Sequence, residues 1–256
     1  MANTVYSNKI IEAKAKDLLV TSLNTRSLMT VDNTLAGSPG MTKTINVYTY
    51  SGTAEELEAG EGNSNRGSIA YVGTDYTVKM IQQAFDYYDE DFMKDNTIVD
   101  NMLKGANQVM VNKMAADFAA ECAKASLAQT FTNFGYEAIV DGISKLNIED
   151  ESKLFVVIPN AFKAALRKDA DYKAARMGEV VYNGQVGTVC GIPVIATNAF
   201  TDTAYVMTAE AVKLFIKKDV EVEQERDADK RKNSVYLRTA YICALVDATK
   251  ICKLSK

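Results

Sequence analysis

The chain has 256 residues, 47% of them hydrophobic and 24% charged, which is enough for a substantial core in one large domain or two modest ones. It carries a net charge of −4 and no histidine. Together these exclude Ser-His-Asp and Cys-His catalysis, mixed Cys/His zinc sites and the basic footprint of a protein that wraps nucleic acid; carboxylate, lysine or tyrosine chemistry stays open.

The first residues, Met1-Ala2-Asn3-Thr4-Val5, lack the basic start and apolar run of a signal peptide, and no segment is apolar for long enough to span a bilayer. Synthesis in the cytoplasm and no membrane partner are expected. Residues 8–24 place Ile11, Ala15, Leu18 and Leu19 on one helical face. The loop Leu35-Ala36-Gly37-Ser38-Pro39-Gly40 follows, so 1–43 reads as an arm with one short helix. Thr44 to Tyr50 alternates like a strand, and a second β-rich run covers Ser68 to Val72 and Tyr76 to Met80. Between them lies an acidic, glycine-rich tip containing Glu55, Glu56, Glu58 and Glu61, with Arg66 after it. Such a hairpin has too little apolar surface to stand alone and needs something to lie on.

Asp95-Asn96 supplies a helix N-cap. From Thr97 to about Ser126, apolar residues recur at Val99, Leu103, Ala106, Met110, Met114, Phe118 and Cys122. Some thirty residues predict a helix about 45 Å long, as long as a compact globule of this chain is wide, about 46 Å. The subunit is therefore expected to be flattened and elongated.

The second half has α/β texture. A helix is expected over 134–146, a buried strand over 154–158 ended by Pro159, and a short helix over 161–168 capped by Asn160. Asn183-Gly184 signals a hairpin turn, and Cys190-Gly191 a turn into the strand Ile192 to Ile195. A strand over 204–207, helix-like residues 209–212, the alternating Val220-Glu221-Val222-Glu223, an apolar strand over 236–246 and a closing strand at 251–254 complete the chain. Cys122, Cys190, Cys243 and Cys252 are scattered among apolar neighbours, and buried free thiols are expected.

Chemistry is sparse. Gly184, Gly187 and Gly191 superficially suggest a phosphate loop, but no Gly-Lys-Ser/Thr ending or helix follows, so a β-hairpin is the better reading. Acidic clusters at 55–61, 86–95 and 221–229 match no calcium-loop spacing and read as solvated or interface faces. Glu221, Glu223 and Glu225 are followed at once by Lys230, Arg231 and Lys232, so complementary patches are expected to meet between subunits. Tyr48, Tyr50, Tyr71, Tyr76, Tyr87 and Tyr88 gather on the hairpin and its root, where core packing and subunit contact explain them equally well. No catalytic residue, cofactor or metal is expected.

The order of these elements resembles the major capsid proteins of tailed bacteriophages with the Hong Kong 97 fold, an α+β architecture. Residues 1–43 resemble that family's N-terminal arm, and 44–78 its extended E-loop. Residues 79–133 resemble the part of the peripheral domain that holds the spine helix, 134–215 the axial domain, and 216–256 the return strands of the peripheral domain. The stretch Gly184-Gln185-Val186-Gly187-Thr188-Val189-Cys190-Gly191-Ile192-Pro193-Val194-Ile195 is the most family-like. The match covers nearly the whole chain through loose patterns in a fixed order.

The resemblance implies a non-enzymatic subunit that self-assembles as hexamers and pentamers into an icosahedral head. That head would enclose DNA without sequence-specific binding and would be served by a scaffolding protein and a portal. The long cleaved scaffolding segment of some members does not precede the arm; either a separate scaffolding protein serves this chain, which Met1 favours, or the chain is already trimmed. An encapsulin-like nanocompartment shell is the nearer alternative, and a soluble carboxylate-using α/β enzyme the farther.

Overall fold

A computed structural model of the chain describes residues 8–22, 25–95, 97–175 and 187–256. The expected Asn183-Gly184 turn, and Asn96 of the expected cap, lie outside them.

Helix α1 (Asn8–Ser22) and the short strand β1 (Thr30–Asp32) lead into an antiparallel hairpin of β2 (Thr42–Ser51) and β3 (Ser68–Thr77). One residue later β4 (Lys79–Tyr88) begins, followed by the short α2 (Asp89–Lys94) and the long α3 (Ile98–Cys122). The seven apolar positions expected on α3, from Val99 to Cys122, are all buried, as helical spacing requires of a core-facing stripe. Its 25 residues give a length of about 38 Å rather than 45 Å. The helix stops early because the chain after it is drawn into a sheet as β5 (Leu127–Thr130), paired in parallel with the chain's last strand. At its start, Asp95 Oδ1 accepts bonds from the Thr97 amide (2.8 Å) and hydroxyl (2.7 Å), and Thr97 is the capping position.

The second half runs through α4 (Tyr136–Leu146), β6 (Leu154–Pro159), α5 (Phe162–Lys168), α6 (Ala170–Ala175), β7 (Thr188–Val189), β8 (Ile192–Thr197) and β9 (Ala204–Thr208). The chain ends in the long strands β10 (Val212–Asp227) and β11 (Lys232–Leu245), then β12 (Ile251–Ser255). Two larger sheets form, ordered β1-β10-β11-β4 and β5-β12-β9-β6-β8-β7. The first packs under α1 and α3 to make the main core, which includes Ile11, Ala15 and Leu19 of α1. The helix of the 1–43 segment is thus docked on its own chain's α3. The second sheet carries α4 and has its own core; β6 and β9 are buried at every position, as central strands covered on both faces are. β12 lies in this second sheet, paired with β5 and β9, although the preceding strands β10 and β11 belong to the first.

Five expectations are corrected. The second β-rich run does not stop at Met80: β4 continues to Tyr88, with Ile81, Gln83, Phe85 and Tyr87 turned inward, a pattern that the glutamines conceal. Residues 209–212 are not helical; the Ala211 amide bonds to the Thr208 carbonyl in a tight turn, and Val212 starts β10 opposite Leu245. Asn160 does not cap α5, whose N-cap is Ala161; the Asn160 side chain instead hydrogen-bonds that of Asn198. Cys190 is exposed while the other three thiols are buried. It sits with Gly191 in the two-residue turn from β7 to β8, where φ is +52° and +80°, the left-handed backbone such turns demand. The fifth is the shorter α3 already described.

α4 approaches β12 and β9 closely at Gly142: a Cβ there would stand 2.7 Å from Leu254 Cδ2 and 3.1 Å from Val206 Cγ2, so a larger side chain must displace both. Gly142→Val is therefore expected to cost about 1–3 kcal/mol through overpacking. A lowered midpoint in urea denaturation, relative to the unaltered chain, checks this.

Candidate assembly surface

The β2–β3 hairpin pairs over ten rungs, from Thr42↔Thr77 to Ser51↔Ser68, and so extends about 34 Å before its tip. Among the described residues, only its root is anchored. Ile45 joins Val78, Leu35, Phe215, Ala240, Ile242 and Ala244 in a small separate core, and the Lys43 ammonium lies 4.0 Å from the centre of the Phe215 ring. Beyond the root the ribbon carries apolar residues that no other described residue covers. Cross-strand partners share a face, so one face carries the pairs Tyr48/Tyr71 and Tyr50/Ile69, and the other carries Val47/Val72. The four residues of the first face are 66–68% exposed, and the Tyr48 and Tyr71 rings stand 6.1 Å apart. Single exposed apolar residues are ordinary, but a contiguous strip of them marks a contact surface.

The tip is organised by one of its glutamates. Glu55 accepts hydrogen bonds from the amides of Ser64 (2.8 Å) and Asn65 (3.2 Å) and from the Ser64 hydroxyl, which together hold its carboxyl below the usual range. Glu56, Glu58, Glu61 and Arg66 are exposed around it. The residues expected to meet between subunits at the far end of the long strands are paired within the chain. Arg231 reaches Glu90 (2.9 Å), Lys232 reaches Asp86 (2.7 Å) and Lys230 reaches Asp227 (3.5 Å). Glu221 takes Lys218 (2.6 Å), Glu223 takes Arg238, and Glu225 is exposed. Exposed pairs of this kind are worth roughly 0–1 kcal/mol, too little to prevent exchange of partners in an assembly.

The tyrosines divide. Tyr48, Tyr50 and Tyr71 are exposed on the hairpin, Tyr87 is in the main core, Tyr76 is half-buried at the root and Tyr88 is largely exposed. Among the described residues no cluster of three or more His, Cys, Asp or Glu side chains forms a metal cage, and no helix is long and apolar enough to cross a membrane. Burial pushes the Cys122 and Cys243 thiols up, Cys243 to about 12, so neither is a nucleophile near neutral pH.

A long hairpin without a bed, beside a long helix and two sheets, is the architecture of a tile. The model of the family described as phage capsid protein matches residues 70–254, most of the chain. The chain belongs to the phage capsid protein family. It is 25% identical over 263 residues to a major capsid protein of Staphylococcus phage phiMR11, across 99% of this chain and 96% of that one. The capsid structure of cyanophage P-SCSP1u superimposes with a TM-score of 0.71 at 12% identity, over 90% of this chain and 86% of that one. A virus-like particle from Pyrococcus furiosus gives 0.68 at 10% identity, over 98% and 100%. These likenesses establish the Hong Kong 97-like fold, and the family is one of structural capsid proteins.

Two acidic residues on α3 escaped the sequence reading. Asp117 and Glu121 are 5% and 6% exposed, beside Phe118 and Cys122 on the buried face. The available signal was an i, i+4 acidic pair interrupting the stripe Met114–Phe118–Cys122.

Proposed function

We propose that this chain is the major capsid subunit that self-assembles, as hexamers and pentamers, into an icosahedral phage head enclosing DNA, made in the host cytoplasm and without enzymatic activity. The observation that carries the reading is the apolar, uncovered β2–β3 ribbon, which we read as the E-loop (44–78) lying over an adjacent subunit. Residues 1–43 would be the arm, 79–133 the spine-bearing part of the peripheral domain, 134–215 the axial domain converging at capsomer centres, and 216–256 the return strands, save that β5 and β12, from the two flanking segments, complete the axial domain's sheet. Glu56, Glu58, Glu61 and Arg66 at the tip, with Glu225 and the exchangeable pairs of Glu221, Glu223, Lys230, Arg231 and Lys232, are the polar contacts this arrangement offers; Glu55 serves mainly to shape the tip. The net charge of −4 supports enclosing DNA rather than gripping it. A scaffolding protein and a portal complete the proposed set of partners.

Negative-stain electron microscopy of the chain expressed alone and with its scaffolding partner is expected to show closed shells in at least one case. A small discrete oligomer in both would overturn the proposal. Shells filled with a protein cargo, and never with DNA, would favour a nanocompartment over a phage head.

A further inference from the structure

The buried carboxylates of the spine converge on the one place where the hairpin leaves the body. Lys79 and Tyr241 face each other on the last rung of the β4–β11 ladder before the chain departs into the ribbon. Asp117 takes both: Lys79 Nζ donates to Oδ1 at 3.0 Å, and the Tyr241 hydroxyl donates to Oδ2 at 2.7 Å. Lys113, one turn earlier on the same helix, stands 3.5 Å from Oδ1. Burial alone would raise the Asp117 carboxyl, but the tyrosine hydroxyl and the lysine outweigh it and hold it below the usual range. One turn later Glu121 binds Lys124 through both oxygens, at 2.7 and 2.8 Å. That lysine lies 5.3 Å from the centre of the Tyr76 ring, whose hydroxyl donates to the Leu245 carbonyl at 3.3 Å. Successive turns of α3 therefore hold the residues on either side of the β3–β4 junction, Tyr76 and Lys79. Between them the Val78 amide bonds to the Met41 carbonyl at 2.7 Å and closes the ribbon's base.

We infer that this Asp117–Lys79–Tyr241 cluster, seconded by Glu121–Lys124–Tyr76, is a latch that fixes the hairpin's angle to the spine and thereby presents it for docking. A ribbon about 34 Å long turns a small tilt at its base into a large displacement at its tip. Apart from the small apolar core around Ile45 and Val78, the described residues of the body give the hairpin little to lean on, so its aim rests on that core and these few polar contacts together. The latch is releasable because its cations are half-exposed while its carboxylate is not: Lys79 is 52% exposed and the Asp117 side chain 7%. The docking role rests on the shell reading above; the mechanical role does not.

Hydrogen exchange of the unassembled subunit tests it, in Lys79→Met, Asp117→Asn, the double variant and Lys79→Arg, with shell yield measured alongside. In either single charge-removing variant, peptides spanning the hairpin base (40–46 and 74–82) are expected to exchange roughly threefold faster or more, as for loss of one ion pair in a locally opening segment. The double variant should add little to the worse single, Lys79→Arg should behave as the unaltered chain, and peptides of β6 should not change. Shell yield should fall severalfold in the variants with a loosened base. Unchanged exchange at the base, an equal rise in β6, or normal shell yield despite a loosened base would each overturn the latch. The two ideas fail separately: if the latch is wrong, the base stays protected while removal of the hairpin still stops assembly. If the shell reading is wrong, the base still loosens.

Discussion

Replacing Tyr48, Tyr50, Ile69 and Tyr71 by serine is expected to abolish shell formation while leaving the subunit folded. None of the four belongs to a core of its own chain, and each is about two-thirds exposed. Folding therefore loses only cross-strand contacts, worth about 0.2–1 kcal/mol per pair, and the thermal midpoint should move by a few degrees at most. Docking loses far more. If covering this face removes about 400 Å² of apolar surface per subunit, the gross gain is about 10 kcal/mol. Association costs an estimated 4–15 kcal/mol in lost freedom and ordering, so a loss of that size consumes the surplus that makes assembly observable. Sedimentation velocity should show the variant as small species under conditions where the unaltered chain gives shells, with unchanged far-ultraviolet circular dichroism apart from the tyrosine contribution. Deleting residues 51–65 should agree, because it removes the acidic tip together with the turn that holds the ribbon in register. Normal shells from both variants would sink the assignment of this hairpin as the docking element.

The sequence made some of this surface legible and hid the rest for physical reasons. Alternation and the glycine-rich tip were enough to place the ribbon. Helix α3 followed from seven apolar residues at helical spacing, because a long amphipathic helix is the pattern least dependent on context. The length of β4 was not legible, since Gln82 and Gln83 interrupt its alternation and only pairing with β11 makes the segment a strand. The end of α3 was likewise set by tertiary pairing, since nothing local in Ala123 to Ser126 forbids a helix whereas β5 must meet β12. Charge was legible only in part. Lys230, Arg231 and Lys232 read as a patch facing another subunit, and what the sequence does not announce is that the sharp β10–β11 turn, with Arg231 at a φ of +53°, also brings them beside acidic partners of their own chain. Asp117 went unremarked because a carboxylate within a buried stripe shows its purpose only when Lys79 and Tyr241, distant in sequence, arrive beside it.

Phe118→Ala is expected to be the most damaging single truncation in the spine, costing about 3–5 kcal/mol. Phe118 is fully buried in the last turns of α3, its ring 5.8 Å from that of Phe200, which itself lies 4.7 Å from Tyr205 of β9. It therefore joins the helix to residues of the second sheet as well as to the main core, and neither neighbour can collapse into the space without leaving its own partners. For a chain of this size each kcal/mol is worth roughly 2–4 °C, so the midpoint should fall by about 10 °C. The same change tests whether the spine couples the two halves. If it does, calorimetry should show one transition moving as a whole; if the halves unfold independently, only the part containing α3 should shift. The contrast with the hairpin variants is the informative result. Loss of Phe118 should weaken the isolated subunit in proportion to the cavity, whereas loss of the hairpin's apolar face should leave the subunit nearly as stable and unable to build.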